Sequence, residues 1–184
     1  MSIKGLDTDT SINLFERMKS FDCIPYLSKY HTMYSDIVWK ELTSGNSYKS
    51  IPFETYRLSS EEQKLFDDTT NYMSNLGCGE RSAMIHALFL SNEHSCNGDD
   101  KIVVICNDKE ANHIFRRDLP RDPMMRRMFP NMEKIVWVKT IDVLEKMWIE
   151  GAIDKSVASE IYHELKEILG PKLDFLFFEG KSKI

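Results

Sequence analysis

The sequence contains no apolar run approaching the roughly 20 residues that a helix needs to cross a bilayer. Its first residues, Met1 to Gly5, lack both the long apolar stretch and the small-residue cleavage site of a secretory signal. These two absences argue against a membrane-spanning chain and against a secreted one. We therefore expect a soluble, cytoplasmic protein that makes no membrane contact.

Cysteine is scarce and widely spaced. The 4 cysteines are Cys23, Cys78, Cys96 and Cys106, and no two of them form a C-x-x-C pair. A zinc ribbon and a thioredoxin-type redox site are therefore not predicted. His94 and Cys96 could supply two metal ligands, but no second pair completes a tetrahedral site. Buried, reduced thiols are the expectation.

Positive charge is in deficit as well. The formal net charge is -5 and the sequence pI is about 5.6, which excludes the basic surface of a general nucleic-acid binder. The exception is the segment 109–134, which we interpret as an arginine-rich insertion or mobile segment. It carries the arginines Arg116, Arg117, Arg121, Arg126 and Arg127. Such side chains either contact substrate phosphates or form an ordinary solvated surface.

What the chain does contain is an ordinary globular composition, with 42% hydrophobic and 11% aromatic residues among its 184. That length fits one domain over residues 1–184. Short β-prone stretches predict strands at Ser2–Leu6, Tyr26–Met33, Lys101–Cys106 and Lys134–Val138. The continuous apolar run of Lys101–Cys106 suits a parallel sheet that is covered on both faces. Helices are predicted at 10–18, 36–42, 59–75, 80–90, 140–150 and 154–169. Ser35 can cap the second of these, and Ser59 and Glu62 supply the Ser-x-x-Glu capping box of the third. Strands that alternate with helices indicate an α/β sandwich with a mainly parallel central sheet.

Four acidic residues recur where such a sheet would place a ligand site, at or beside the carboxyl ends of its strands. They are Asp7, Glu41, Glu80 and Asp108. Converging carboxylates repel one another unless a cation binds them, and an all-oxygen ligand set indicates Mg²⁺ or Mn²⁺. Each acid also has a plain structural interpretation. Asp7 and Asp108 suit turns or helix caps, Glu41 a solvated helix face, and Glu80 the positive end of a helix dipole.

The order of these residues resembles that of the PIN-domain family of metal-dependent nucleases. "LDTDTSINLF" is similar to the family's opening motif, "DIVWKEL" to its helix ending in Glu-Leu, and "LGCGERSAMIHAL" to a variant of its third motif. "VVICNDKEA" resembles the strand that ends in Thr-x-Asp, and "VWVKTIDVLEKMWIEGAI" resembles the closing strand and helix. The resemblance covers nearly the whole chain, and it implies a three-layer α/β/α sandwich.

Carried over residue by residue, the resemblance makes Asp7, Glu41, Glu80 and Asp108 both the metal ligands and the catalytic acids. It also makes Thr8, Asp9 and Asn107 secondary candidates for the site. Cys106 stands where the family usually has Thr or Ser, which removes a hydroxyl group from the site. The segment 109–134 is longer than its counterpart in the compact toxin members of the family.

The function implied by the resemblance is an Mg²⁺- or Mn²⁺-dependent endoribonuclease, acting as a toxin or defence effector. Single-stranded or branched DNA is an alternative substrate, and a PIN-like binding or assembly module with weak cleavage is the alternative from another class. The implied partners are nucleic acid, RNA before DNA, an antitoxin or regulatory protein, and a second copy of the chain. The apolar set Trp137, Met147, Trp148 and Ile149 fits a core or dimer interface better than base stacking.

Overall fold

Five short strands, all in parallel pairs, form the sheets in the part of the chain that is described. The computed structural model describes residues 2–6, 23–44, 53–69, 73–93 and 101–169. The strands are β1 (Ser2–Leu6), β2 (Met33–Ser35), β3 (Glu54–Tyr56), β4 (Ile102–Ile105) and β5 (Ile135–Val138). One sheet has the order β1-β4-β5, and the other consists of β2 and β3. The fold class is therefore mixed α/β.

Eight α-helices lie within the described ranges. They are α1 (Cys23–Leu27), α2 (Asp36–Ser44), α3 (Ser60–Asp68), α4 (Cys78–Glu93), α5 (Lys109–His113), α6 (Pro123–Met128), α7 (Thr140–Ile149) and α8 (Lys155–Leu169). None of the described helices is long and apolar enough to cross a membrane.

Both faces of β4 are covered by apolar side chains. Val103 and Ile105 belong to one hydrophobic core with residues of α1, α2, α7 and α8. Ile102 and Val104 belong to a second core with residues of α3, α4 and the segment 109–134. Successive side chains of a strand point to opposite faces, so a continuous apolar run suits a strand buried on both sides. The four residues of β4 are all buried, as its sequence predicted.

Two helix starts follow the capping chemistry of the sequence. Ser35 Oγ accepts a hydrogen bond of 3.2 Å from Val38 N–H at the start of α2. Ser59 and Glu62 form the predicted capping box of α3, in which each side chain accepts a bond from the other residue's backbone N–H. The sequence was sufficient to predict these two helix starts because a cap hydrogen bond joins residues that are only three apart.

Two sequence predictions of secondary structure are wrong. The segment Tyr26–Met33 does not form one strand, since Tyr26 and Leu27 end helix α1 and the strand begins only at Met33. Burial of Tyr26 and Leu27 in the first core stabilises the helical turn over the β-prone composition. The helix that begins after Ser59 ends at Asp68 rather than near Asn75, and the Thr69 hydroxyl donates to Leu65 and Phe66 carbonyls at its end.

The segment 109–134 consists largely of short helical turns. After α5 come a π-helical turn (Ile114–Asp118) and a 3-10 turn (Leu119–Arg121), and a second 3-10 turn (Met132–Lys134) follows α6. Its apolar residues Phe115, Leu119, Met125 and Phe129 are buried in the second core. The arginines alternate with these anchors and stay at the surface.

Candidate functional site

The carboxyl ends of β1, β4 and β5 meet at one edge of the larger sheet. Leu6 pairs with Ile105, and Ile105 pairs with Val138, so the three strands end side by side. Asp7 follows Leu6 directly in the chain, but Asp7, Thr8 and Asp9 lie outside the described residues. The described part of this edge is formed by the residues that follow β4 and β5.

Asn107 joins the ends of β4 and β5 through both polar atoms of its amide. Its Oδ1 accepts from Thr140 N–H at 3.0 Å, and its Nδ2 donates to Thr140 Oγ at 2.7 Å. Thr140 is fully buried at the first position of α7. The side chain of Asn107 therefore holds the start of α7 against the edge of the sheet.

Asp108 is exposed and caps helix α5. Its Oδ1 accepts a hydrogen bond of 2.6 Å from Ala111 N–H. The Asn112 side chain donates to the carbonyls of Cys106 and Asp108, which tightens the same turn. The structure therefore confirms that Asp108 caps a helix. The second carboxylate oxygen of Asp108 takes no part in this hydrogen bond.

Glu80 lies in the first turn of α4, and its carboxylate lies against Gly77. A Cβ atom built on Gly77 would collide with the carboxylate of Glu80. Among the described glycines only Gly151 has a positive φ, of 70°, so a left-handed backbone does not require glycine at position 77. Gly77 leaves room for the Glu80 carboxylate beside the chain.

Glu41 is exposed near the end of α2.

The start of α2 is joined to α4 through a buried pair of serines, Ser35 and Ser82. Ser82 Oγ donates to the Gly79 carbonyl at 2.8 Å. Since that bond uses the only hydroxyl hydrogen of Ser82, Ser35 is the donor in the 2.6 Å contact between the two hydroxyls. The pair fixes the start of α2 next to the first turns of α4.

No group of three or more His, Cys, Asp or Glu side chains within the described ranges is arranged to hold a metal ion. Glu41, Glu80 and Asp108 do not form such a group by themselves. The four-acid site that the sequence predicts includes Asp7, so its assembly remains a prediction. The donor chemistry of the four residues, carboxylate oxygens alone, suits a hard divalent cation.

Sequence reasoning missed a buried polar network around Glu62 and His86. The ring nitrogen Nδ1 of His86 lies 2.6 Å from Glu62 Oε1, and the other carboxylate oxygen accepts from Ser59 N–H at 2.6 Å. The His86 ring stacks on Tyr56 with centroids 3.7 Å apart. Burial raises the pKa of the Tyr56 hydroxyl, and the Glu62 charge raises it further. The capping box was the only sequence signal for this network.

The five arginines of the segment 109–134 are exposed, but they are not equivalent. Arg116 Nη2 donates to the Trp137 carbonyl at 2.6 Å. The carbonyl of the next β5 residue, Val138, accepts a hydrogen bond from the backbone N–H of Cys106, which directly follows β4. Because successive carbonyls of a strand alternate in direction, the Trp137 carbonyl faces away from β4. Arg116 thus caps the outer edge of β5.

Comparison with protein-family models, with curated proteins and with solved structures finds no significant match to this chain. The resemblance to PIN-domain nucleases therefore rests on the motifs in the sequence.

The apolar set Trp137, Met147, Trp148 and Ile149 divides between core and surface. Trp137 and Met147 are buried, in different cores, and Phe115 packs against the Trp137 ring at 3.7 Å between centroids. Trp148 is half-buried, whereas Ile149 is 68% exposed. The core interpretation of Trp137 and Met147 is confirmed. The thiols of Cys23, Cys78 and Cys106 are not in disulfides. Cys23 and Cys106 are buried as expected, whereas the expectation of burial is wrong for Cys78, which is exposed at the start of α4.

Proposed function

We propose that this protein is a metal-dependent endoribonuclease whose site lies at the carboxyl edge of the β1-β4-β5 sheet. The observation that carries the proposal is the parallel register of β1 and β4, in which Leu6 is the partner of Ile105. This register makes Asp7 and Asp108 the acids that follow two neighbouring strands. Ligand sites of parallel sheets form at that address.

The proposed architecture is a three-layer α/β/α sandwich around a mainly parallel sheet. Its support is the burial of alternate β4 residues in two different cores, one containing α7 and α8 and the other containing α4. In this arrangement α4 packs against β1 and β4, and Ala83, which is buried one turn after Glu80, permits close packing of the helix.

The residues that would hold Mg²⁺ or Mn²⁺ are Asp7, Glu41, Glu80 and Asp108, with Thr8 and Asp9 as neighbours. A bound ion would supply an activated water and stabilise charge on the phosphate oxygens. The described residues contribute by holding the elements of this site in position. Asn107 fixes the edge of the sheet through Thr140, and Gly77 leaves space for the Glu80 carboxylate. The exposed arginines other than Arg116 would contact substrate phosphates.

The proposal is tested by cleavage of end-labelled single-stranded RNA and DNA of the same sequence, each with Mn²⁺ and with EDTA. We expect Mn²⁺-dependent cleavage of the RNA. Cleavage of DNA alone would replace RNA by DNA as the substrate. Failure to cleave either strand at micromolar protein would contradict the proposed activity.

Asp108→Asn separates the charge of this residue from its capping role. Asparagine caps helices about as well as aspartate, so the bond from Ala111 N–H is retained while the negative charge is lost. Asp108→Asn combined with Asp7→Asn should abolish Mn²⁺ binding in a calorimetric titration. Glu110→Gln, which removes an exposed charge two residues away, is the matched control and should bind Mn²⁺ like the parent.

A binding module without cleavage is the second candidate, and the capping bond of Asp108 favours it. If the chain binds RNA without cleaving it, RNA binding should be observed in the absence of cleavage. The changes Asp7→Asn and Asp108→Asn should then alter neither the affinity for Mn²⁺ nor the affinity for RNA. A role in a toxin–antitoxin pair rests on the family resemblance alone.

A further inference from the structure

An open groove of about 900 Å³ lies between α3, the end of α4 and α6, at a place the proposed nuclease site does not use. Its floor is apolar and rich in methionine. The described side chains that form it include Leu65, Met73, Phe89, Met124, Met125 and Met128. We call this surface the methionine groove.

Two methionines of the groove are unusually exposed. Met124 is 60% exposed and Met128 is 42% exposed, and among the described residues the only other large apolar side chain of this kind is Ile149. Met124 and Met128 are four residues apart on α6, so they lie on one side of that helix. Contiguous exposed apolar surface marks interaction sites, and methionine adapts its shape to varied apolar partners.

Acidic side chains surround this apolar floor. Glu61, Asp68, Glu93 and Asp122 line the groove, and Lys64 is the one cation among its described lining residues, since Arg126 and Arg127 of α6 are not among them. Asp122 also caps α6 by accepting from the backbone N–H groups of Met124 and Met125. The ligand that complements this surface is apolar on one side and positively charged at its margins.

One of the acids is placed where its own helix disfavours it. Asp68 is the last residue of α3, which ends at the C-cap Thr69. A negative charge at a helix C-terminus interacts unfavourably with the helix dipole. The position of Asp68 is therefore not explained by helix stability, whereas it is suited to attracting a cationic ligand.

We propose that the methionine groove binds a basic amphipathic helix of a partner polypeptide. Such a helix would place its apolar residues at positions i, i+3, i+4 and i+7 on the methionines, as in other helix-in-groove complexes. Its flanking Lys or Arg side chains would face Asp68 and Glu93. The inference does not depend on nuclease activity, since it rests on the shape and charge of the groove alone.

The probe is a fluorescent Leu/Lys peptide of about 18 residues, or five helical turns, with its leucines on one helical face. Fluorescence anisotropy should show saturable binding that weakens as salt is raised. A peptide of the same composition with the leucines dispersed, and a Leu/Glu peptide with the same leucine pattern, should bind at least tenfold more weakly.

Matched variants test which surface binds the peptide. Met124→Ser combined with Met128→Ser should weaken binding at least about tenfold, since loss of about 1.4 kcal/mol of apolar contact has that effect. Ile149→Ser, at the exposed apolar residue outside the groove, should not change the affinity. Asp68→Lys with Glu93→Lys should also weaken binding tenfold, whereas Asp67→Lys with Glu133→Lys, outside the groove, should change it less than threefold.

Thermal melting verifies that each variant is folded, and the exposed positions chosen should leave the melting temperature nearly unchanged. Equal binding of the patterned and dispersed peptides would overturn the proposal. So would equal affinity of the Met124/Met128 and Ile149 variants. If light scattering shows a dimer that only the methionine variants dissociate, the occupant is a second copy of the chain and the proposed partner helix is wrong.

Discussion

At the scale of single residues, several polar side chains that look like chemistry in the sequence are used to hold the fold. Both ends of the Asn107 amide form hydrogen bonds with Thr140. Arg116 donates a hydrogen bond to the Trp137 carbonyl, which faces away from β4. Leaving a buried partner such as Thr140 without its hydrogen bonds costs about 1–3 kcal/mol. These interactions explain why the residue types at these positions are polar without any reference to a ligand.

Glu62 is the residue whose ionisation is most clearly linked to stability. Burial by itself would raise the pKa of this carboxyl group, but hydrogen bonds from His86 and from Ser59 outweigh it, so the pKa lies below the usual value of 4.5. The unfolded chain therefore binds the proton more readily. Ionised Glu62 stabilises the fold above the unfolded pKa, and this stabilisation is lost as pH falls through the lower folded pKa.

The corresponding prediction concerns Glu62→Gln. Glutamine retains the acceptor of the capping box but cannot ionise, so the variant should be less stable than the parent at pH 7 and should lose less stability on acidification below about 4.5. Melting temperatures measured across this range check it. Glu61→Gln, at the exposed neighbour on the same helix, should follow the parent. A parallel pH profile for Glu62→Gln and the parent would refute the linkage.

At the scale of elements, the segment 109–134 combines an apolar inner side with a basic outer side. Phe115, Leu119, Met125 and Phe129 anchor it in the second core. These anchors fix the short turns so that the arginines are presented at defined positions. The segment is thus packed into the second core and carries five exposed arginines on its outer side.

The prediction at this scale is a change in salt dependence. Arg117→Gln with Arg121→Gln, and separately Arg126→Gln with Arg127→Gln, should weaken RNA binding. Each lost phosphate contact should lower the slope of log K against log salt by about 0.7. Arg116 is left intact because it supports β5. The charge-matched control is Arg57→Gln with Lys155→Gln, both exposed and outside the segment. If all three pairs have the same slope, the segment does not bind substrate.

At the scale of the whole molecule, strand β4 lies between the two hydrophobic cores. Val103 is 1% exposed in the first core, and Val104 is 0% exposed in the second. A sheet with one solvated face would bury only one of these neighbours. The stability of the protein should therefore depend on both sides of β4.

We expect Val103→Ala and Val104→Ala each to lower the free energy of unfolding by about 1.5–3 kcal/mol, from lost burial of methyl groups and from the cavities left behind. Urea denaturation measures both values. Val157→Ala, at a half-buried residue of α8, is the control and should cost less. A large effect at only one of the two strand positions would contradict burial on both faces.

The sequence alone determined what depends on near neighbours. Capping at Ser35 and Ser59 and the buried strand β4 follow from residue types a few positions apart, because cap hydrogen bonds and strand burial are local patterns. The helical turn at Tyr26 and Leu27 was decided by packing against distant segments of the first core. The methionine groove is likewise tertiary, since it arises only when α3, α4 and α6 come together.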